Sequence, residues 1–347
     1  MEFRDFLGEL KRLNWLTVVR RRVDWRYELG ELATKNGLPM LFTNIEGYPA
    51  QSVFAGGLAK PQLMALNLGI GSVTKGARIV KTLRERIASP LEPVLIRHSP
   101  LKENVYRQNS LDINRFAVPW WSRSDGGRYI GTWHVNVTKN YHTGQRNVGV
   151  YRMQIIDSKS ATVSVSPRSH LASHMAIAEK LSKPLEMAVV IGASELVVMA
   201  GAAAFKTGTD EYGMAGALMQ KPLEIIKCTS IDSEVPARAE IVLEGELIPG
   251  VRVKDGPFMD YSGITNSNPG AFLFRVKSVM HRNNPVFRGT AVGMPGAEDH
   301  QLLSVLSAAN LVDFHGSRAR HLVQNLFLKN RMFTFFQMTG RVGKLIH

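Results

Sequence analysis

Apolar residues at Phe3, Phe6, Leu7, Leu10, Leu13 and Leu16 recur three and four positions apart, so one face of an amphipathic helix opens the chain. The pattern then turns to alternation through Val18 and Val23, the period of a strand with one buried face. Pro39-Met-Leu-Phe-Thr-Asn44 reads as a short buried strand ending at the turn Glu46-Gly-Tyr-Pro49, and Lys60 to Leu68 reads as a helix. Asn104 to Val118 is polar and reads as a connector. After Pro119-Trp-Trp121 and the glycine turn Asp125-Gly-Gly127, strand-like runs recur. They are Tyr129 to Lys139, Val148 to Ile156, Ala161 to Val165, Glu186 to Ile191, Ala239 to Leu243 and Ala271 to His281. That density predicts a mainly antiparallel sheet or barrel with helices attached. The expected fold class is α+β, in three parts: a mixed α/β unit over 1–118, a strand-rich unit over 119–310 and a basic helical tail over 311–347.

Composition agrees with a folded protein. At 347 residues the chain exceeds the roughly 100–200 residues of one domain, so two are expected. Its 44% hydrophobic and 21% charged residues lie near the globular averages of about 45–50% and 25%, which excludes disorder and fibrous repeats. A lone cysteine, Cys228, and an opening without a charged-then-apolar leader point to a reducing cytoplasm. Met187 to Phe205 is apolar enough to suggest a membrane span, but Glu195, Gly192 and Gly201 interrupt it, and it reads as buried strand and loop.

The formal charge of +14 calls for an anionic partner. Much of it is local: after Asp313 the chain carries Arg318, Arg320, Lys329, Arg331, Arg341 and Lys344 among Phe327, Phe333, Phe335 and Phe336, with no acid. A terminal helix packed on a partner subunit is the expectation, with peripheral membrane contact as the second reading and nucleic-acid binding disfavoured.

Three clusters carry chemistry. In Asn147-Val-Gly-Val-Tyr-Arg152 a regular strand places Asn147 and Arg152 on opposite faces unless a bulge intervenes at Gly149. Arginine near a strand end is commonly structural, yet its guanidinium fork is also the natural clamp for a carboxylate. Ser166-Pro-Arg-Ser-His170 and the helix start Thr207-Gly-Thr-Asp-Glu211 supply His170 and Glu211, which could be unrelated surface residues. Joined by the Asn147 amide, they form an oxygen-rich, one-imidazole set suited to manganese or magnesium rather than zinc. In Asp255-Gly-Pro-Phe-Met-Asp260 a Gly-Pro turn can bring two acids towards one cleft, while Glu240 or Glu244 has the plainer reading of a partner for Arg238.

Taken in order, these clusters resemble the UbiD family. The likeness runs from Phe3-Arg-Asp-Phe-Leu7 through Leu41-Phe-Thr-Asn44 to about His300. It rests on the conjunction of Tyr129-Ile-Gly-Thr132, Asn147 to Arg152, His170, Glu211-Tyr-Gly-Met-Ala-Gly216, Val235 to Gly245 and Asp255 to Asp260. The resemblance implies a central split β-barrel that binds prenylated FMN, covered by the N-terminal mixed α/β domain. It implies manganese, with potassium as a second ion, and Asn147, His170 and Glu211 as metal ligands. Thr132, Val150, Tyr151, Arg152, Ser166, Pro167, Arg168, Leu171 and Ala172 match the family's cofactor contacts. Arg152, Asp255 and Asp260 match its catalytic arginine and paired acids.

The implied activity is reversible, non-oxidative decarboxylation of an aromatic or α,β-unsaturated acid. The implied partners are that small acid, a flavin prenyltransferase supplying the cofactor, and other subunits in a homo- or hetero-oligomer. Two departures stand out. The family usually has Glu at the position of Asp255 and often at that of Asp260. It also continues into a C-terminal domain that this sequence is expected to lack. The alternative expectation is therefore a cofactor-poor accessory subunit of a larger complex, binding its partner through the basic tail.

Overall fold

A computed structural model describes residues 1–36, 38–71, 76–260, 263–293 and 297–309. The basic aromatic tail expected over 311–347 lies outside these described residues. The chain begins with α1 (Phe3–Arg12), β1 (Thr17–Val19), α2 (Glu28–Asn36), β2 (Met40–Phe42), β3 (Ser52–Ala55), α3 (Pro61–Asn67) and α4 (Gly76–Ile87). Next come β4 (Val94–Leu95), β5 (Asn104–Arg107), β6 (Tyr129–Gly131), β7 (His134–Lys139), β8 (Arg146–Gly149), β9 (Met153–Gln154) and β10 (Ser160–Val163). The remainder is α5 (His170–Lys180), β11 (Leu185–Ile191), α6 (Glu195–Ala202), α7 (Glu211–Met219), β12 (Glu224–Lys227), β13 (Glu234–Pro236), β14 (Ile241–Met259), β15 (Thr265–His281), β16 (Val286–Arg288) and α8 (Glu298–Ala308).

The opening helix forms for the reason its pattern gives. Phe3, Phe6 and Leu10 are fully buried against Phe54, Ala59 and Leu63, each contributing about 1.5–3 kcal/mol of apolar burial. Pro61 opens α3, where its missing N–H costs nothing. A small sheet, ordered β1-β2-β3-β16, packs with these helices, and its last strand arrives only after the large sheet is complete.

The large sheet has seven strands in the order β10-β15-β14-β11-β7-β8, with β5 added beside β15, and it curls into a half-barrel. Among the described residues all of its strand pairings are antiparallel. Two stretches differ from their sequence pattern. Asn104–Arg107, expected to be connector, is the strand β5, because Tyr106 stacks on His281 at 5.4 Å and the edge of β15 supplies backbone partners. Its own four residues are too polar to announce a strand. The run after Met187 becomes strand then helix α6, capped by Ser194 Oγ accepting from Leu196 N at 3.3 Å. Glu195 to Gly201 are all buried, so no amphipathic period marks the helix. Among the described residues no helix is long and apolar enough to cross a membrane.

One charged cluster ties the sheets together. Arg288 of β16 is fully buried and donates to Glu195 Oε1 at 2.8 Å and to both Glu298 oxygens, at 2.8 and 2.5 Å. Trp133 Nε1 donates to Glu195 Oε2 at 2.6 Å, and the backbone N–H groups of Gly56 and Leu58 hold Glu298 at 2.9 and 3.0 Å. Two carboxylates share one guanidinium. Burial pushes Glu195 towards its neutral form, while Arg288 and the two amides outweigh burial at Glu298 and keep it ionised. Arg4 on α1 adds a second tie, a two-bond fork to buried Glu240 at 2.8 and 2.9 Å. Arg238 pairs instead with Glu224, and Glu244 accepts from Thr229 and Ser230.

The loop Trp120–Gly127 clamps the far end of β14. Gly126 N donates to Pro257 O at 2.6 Å, and the buried Asp125 carboxylate accepts from Met259 N at 3.3 Å and Ser122 N at 3.1 Å. Gly126 must be glycine here, since a Cβ would lie 2.5 Å from Gly256 O. Desolvation pushes Asp125 up to about 6.

Two outcomes follow. Arg288→Met leaves two buried carboxylates without their cation, so urea unfolding at neutral pH is expected to show a loss of about 3–5 kcal/mol. Asp125 binds its proton more tightly folded than unfolded, where its pKa is about 3.9, so its ionisation opposes folding. Stability is expected to fall as pH rises from about 4 through about 6, and Asp125→Asn is expected to flatten that interval in a series of pH-dependent melts.

Candidate active site

Asn147 and Arg152 are five residues apart, and so are Asp255 and Asp260; in a regular strand either pair divides between opposite faces. The structure interrupts both strands. β8 stops at Gly149 and β9 begins at Met153, so Val150 to Arg152 cross between them. Tyr151 N donates to Asn136 Oδ1 at 3.3 Å, and the Tyr151 ring lies over Gly149, where a Cβ would meet it at 2.6 Å. In β14, Asp255 stands opposite Asn268 and Phe258 opposite Asn266: three steps on one strand against two on the other. That extra residue is a bulge rather than the turn expected from Gly-Pro, and it reverses the alternation between the two acids.

Two of the three expected side chains touch, and Asn266 links the third to them. Arg152 Nε and Nη2 both reach Asp255 Oδ1 at 2.7 Å. The other Asp255 oxygen accepts from Thr162 Oγ1 at 2.7 Å, so this fully buried carboxylate is held on both sides. Arg152 Nη1 donates to Asn266 Oδ1 at 3.0 Å, and Asn266 Nδ2 donates to Asp260 Oδ2 at 2.6 Å. Phe258 lies 5.0 Å beneath the guanidinium and packs on Tyr129 at 4.2 Å between ring centres. Burial, reinforced by the Asp255 charge, pushes the Tyr129 phenol well up, so it is a neutral wall.

Asn266 and Thr162 complete this network and escaped the sequence reading. Thr265-Asn-Ser-Asn-Pro269 looks like a polar turn. The one available signal is that Asn266 and Asn268 alternate along the run, as two polar residues on one face of a strand do; Asn268 Nδ2 donates to Ser164 Oγ at 3.0 Å.

Asn147, His170 and Glu211 line one cavity of about 70 Å³ together with His174, Thr207 and Thr209. Two helix starts put them there: His170 opens α5, capped by Ser169 Oγ accepting from Ala172 N at 3.2 Å, and Glu211 opens α7 behind Asp210. Among the described residues no three His, Cys, Asp or Glu side chains form a ready metal-holding group. The set nevertheless fits a divalent cation on chemical grounds. Asn147 carries an amide oxygen able to ligate a cation, and Glu211, whose Oε2 accepts from Val148 N at 3.1 Å, is pushed up to about 7 by desolvation. A cation there would relieve a carboxylate that burial has left poorly compensated.

The expected cofactor contacts divide. Ser166, Pro167 and Arg168 are exposed on the loop before α5. Val150 and Tyr151 flank Arg152 on the crossing segment. Thr132 Oγ1 already accepts from buried Thr290 N at 3.0 Å, and the Leu171 side chain is wholly in the core, so Leu171 offers a ligand only backbone. Ala172 N is taken by the Ser169 cap.

Comparison with known proteins bears on the family and the fold. Residues 94–295 match the model of the 3-octaprenyl-4-hydroxybenzoate carboxy-lyase Rift-related domain, and residues 7–86 match that of the same enzyme's N-terminal domain. An uncharacterized protein of Archaeoglobus fulgidus is 31% identical over 86% of this chain and 65% of its own length. The pyrrole-2-carboxylic acid decarboxylase of Pseudomonas aeruginosa is 28% identical over 90% of this chain and 66% of its own. The chain thus spans just under two thirds of the length of these relatives. Among solved structures, an evolved dimeric form of the UbiD-class enzyme HmfF from Pelotomaculum thermopropionicum, in complex with prFMN, superposes with a TM-score of 0.83 at 30% identity over 89% of this chain and 71% of that one. The vanillic acid decarboxylase ShVdcCD of Sedimentibacter hydroxybenzoicus, in closed form, gives 0.84 at 27% identity over 88% and 67%. With the family's central domain matching more than half of this chain, and a fold that follows UbiD-class structures, this chain belongs to the UbiD family.

Proposed function

We propose that this chain catalyses the reversible, non-oxidative decarboxylation of an aromatic or α,β-unsaturated carboxylic acid, with prenylated FMN and manganese bound. The observation that carries this reading is the convergence of Arg152, Asp255 and Asp260 in one network. The names of relatives that act on pyrrole-2-carboxylic and phenolic acids support the substrate class. Bound prenylated FMN would supply the electron sink for the carbanion that loss of carbon dioxide leaves, a task no side chain performs.

The residues have separable tasks. Arg152 binds the substrate carboxylate through donors that Asp255 does not use, and the planar fork fixes its orientation. Asp255, anchored by Thr162, holds the guanidinium in place and offsets its charge. Asp260 delivers a proton to the carbon that carbon dioxide has left, and takes one up in the carboxylation direction. As aspartates, both acids are one methylene shorter than glutamate, so the reacting carbon must sit close to the β14 bulge. Asn147, His170 and Glu211 would hold manganese, which would bind the cofactor phosphate, with Val150, Tyr151, Ser166 to Arg168 and the first turn of α5 beside it. A flavin prenyltransferase would supply the cofactor, the assembly would be oligomeric, and the setting cytoplasmic. The division at about residue 118 remains part of this proposal, although β5 and β16 each cross it in space.

Reconstitution of the full chain with prenylated FMN and Mn²⁺, followed by a panel of benzoates, cinnamates and heteroaromatic acids, tests the reading. Cofactor uptake with release of carbon dioxide is expected, and no uptake would point to the accessory role. Arg152→Ala is expected to cut turnover by at least about 100- to 1,000-fold, the usual effect of deleting one charge-stabilising donor, with a native circular dichroism spectrum. Wild-type turnover in that variant would remove Arg152 from the mechanism. His170→Ala is expected to lower the manganese retained per chain after gel filtration, as measured by elemental analysis.

A further inference from the structure

Arg152 gives Nε and Nη2 to the same oxygen of Asp255, both at 2.7 Å. Nη1 takes no part in that pair and donates to Asn266 Oδ1 at 3.0 Å. A guanidinium accepts nothing, so Asn266 must turn its oxygen to Arg152 and its NH2 group away. That group meets Asp260 Oδ2 at 2.6 Å. Backbone pairing fixes the arrangement further: Asn266 stands opposite Phe258, and Phe258 lies beneath the guanidinium. The Arg152 side chain is only 16% exposed, so an entering carboxylate has few donors to choose from. A carboxylate that takes the Nη1 hydrogen now accepted by Asn266 must displace that amide oxygen.

We propose that Asn266 is a positioning residue that couples carboxylate capture to the acid. A planar monocarboxylate arriving at Arg152 displaces Asn266 Oδ1 from Nη1, and losing that anchor releases the amide from its fixed orientation on Asp260. The exchange runs towards the ligand because a charged acceptor binds a guanidinium more strongly than a neutral amide does. It reverses when the carboxylate leaves as neutral carbon dioxide. This inference rests on the roles assigned to Arg152 and Asp260 above.

Calorimetric titration of the purified full chain with benzoate separates the two readings. Wild type is expected to bind benzoate, and Arg152→Ala to lose binding. Asn266→Leu and Asn266→Ala remove the competing oxygen and are expected to bind benzoate about tenfold more tightly, the equivalent of ~1.4 kcal/mol for a lost hydrogen bond to a charged group. Asn266→Asp places its own carboxylate on Nη1 and is expected to bind at least about tenfold more weakly. Unchanged or weaker binding in the Leu and Ala variants, which a merely structural role would give, overturns the coupling and leaves the role of Arg152 standing. Absence of Arg152-dependent binding in wild type overturns the site reading and this inference with it.

Discussion

Burying a guanidinium is the constraint on which the site depends. An arginine removed from water needs an acceptor for nearly every N–H and a counter-charge close by, or the desolvation penalty exceeds what packing returns. Arg152, 16% exposed, gains its counter-charge from Asp255, whose second oxygen is held by Thr162, so position and charge are settled in one contact. The orientation of Nη1 follows from that contact, and Asn266 links it to Asp260.

The contact exists only because β14 breaks its period. A regular strand would send Asp255 and Asp260 to opposite faces, and the extra residue between Asp255 and Phe258 returns them to one. Such a break needs external support. The Trp120–Gly127 loop supplies it from one side, through Gly126 N on Pro257 O and Met259 N on Asp125, and Gln154 Oε1 supplies it from the other by accepting from Gly256 N at 2.8 Å. Asp125 is desolvated in consequence, so part of the stability of the fold is exchanged for geometry at the acids.

Farther out, the Arg288, Glu195 and Glu298 cluster joins β16 of the small sheet to α6, α8 and, through Trp133, the start of β7. It uses the same principle at larger scale: buried charges are tolerated only in a complete network, which admits few alternative arrangements. The N-terminal elements are thereby held against the half-barrel whose strands carry the candidate residues.

The sequence by itself determined the amphipathic opening helix, most of the strands, and the membership of Arg152, His170, Glu211, Asp255 and Asp260 in one ordered set of motifs. Local period and motif order are properties of neighbouring residues, and they survive without knowledge of partners. Strand β5 and helix α6 were misread because their burial comes from elements far along the chain, Tyr106 on His281 in one case and an all-round apolar environment in the other. Asn266 and Thr162 were invisible because an amide or a hydroxyl has no meaning until its hydrogen-bond partners are placed. Only tertiary structure decided which face each acid takes, since a single bulge residue reverses that choice and its position is set by pairing across two strands.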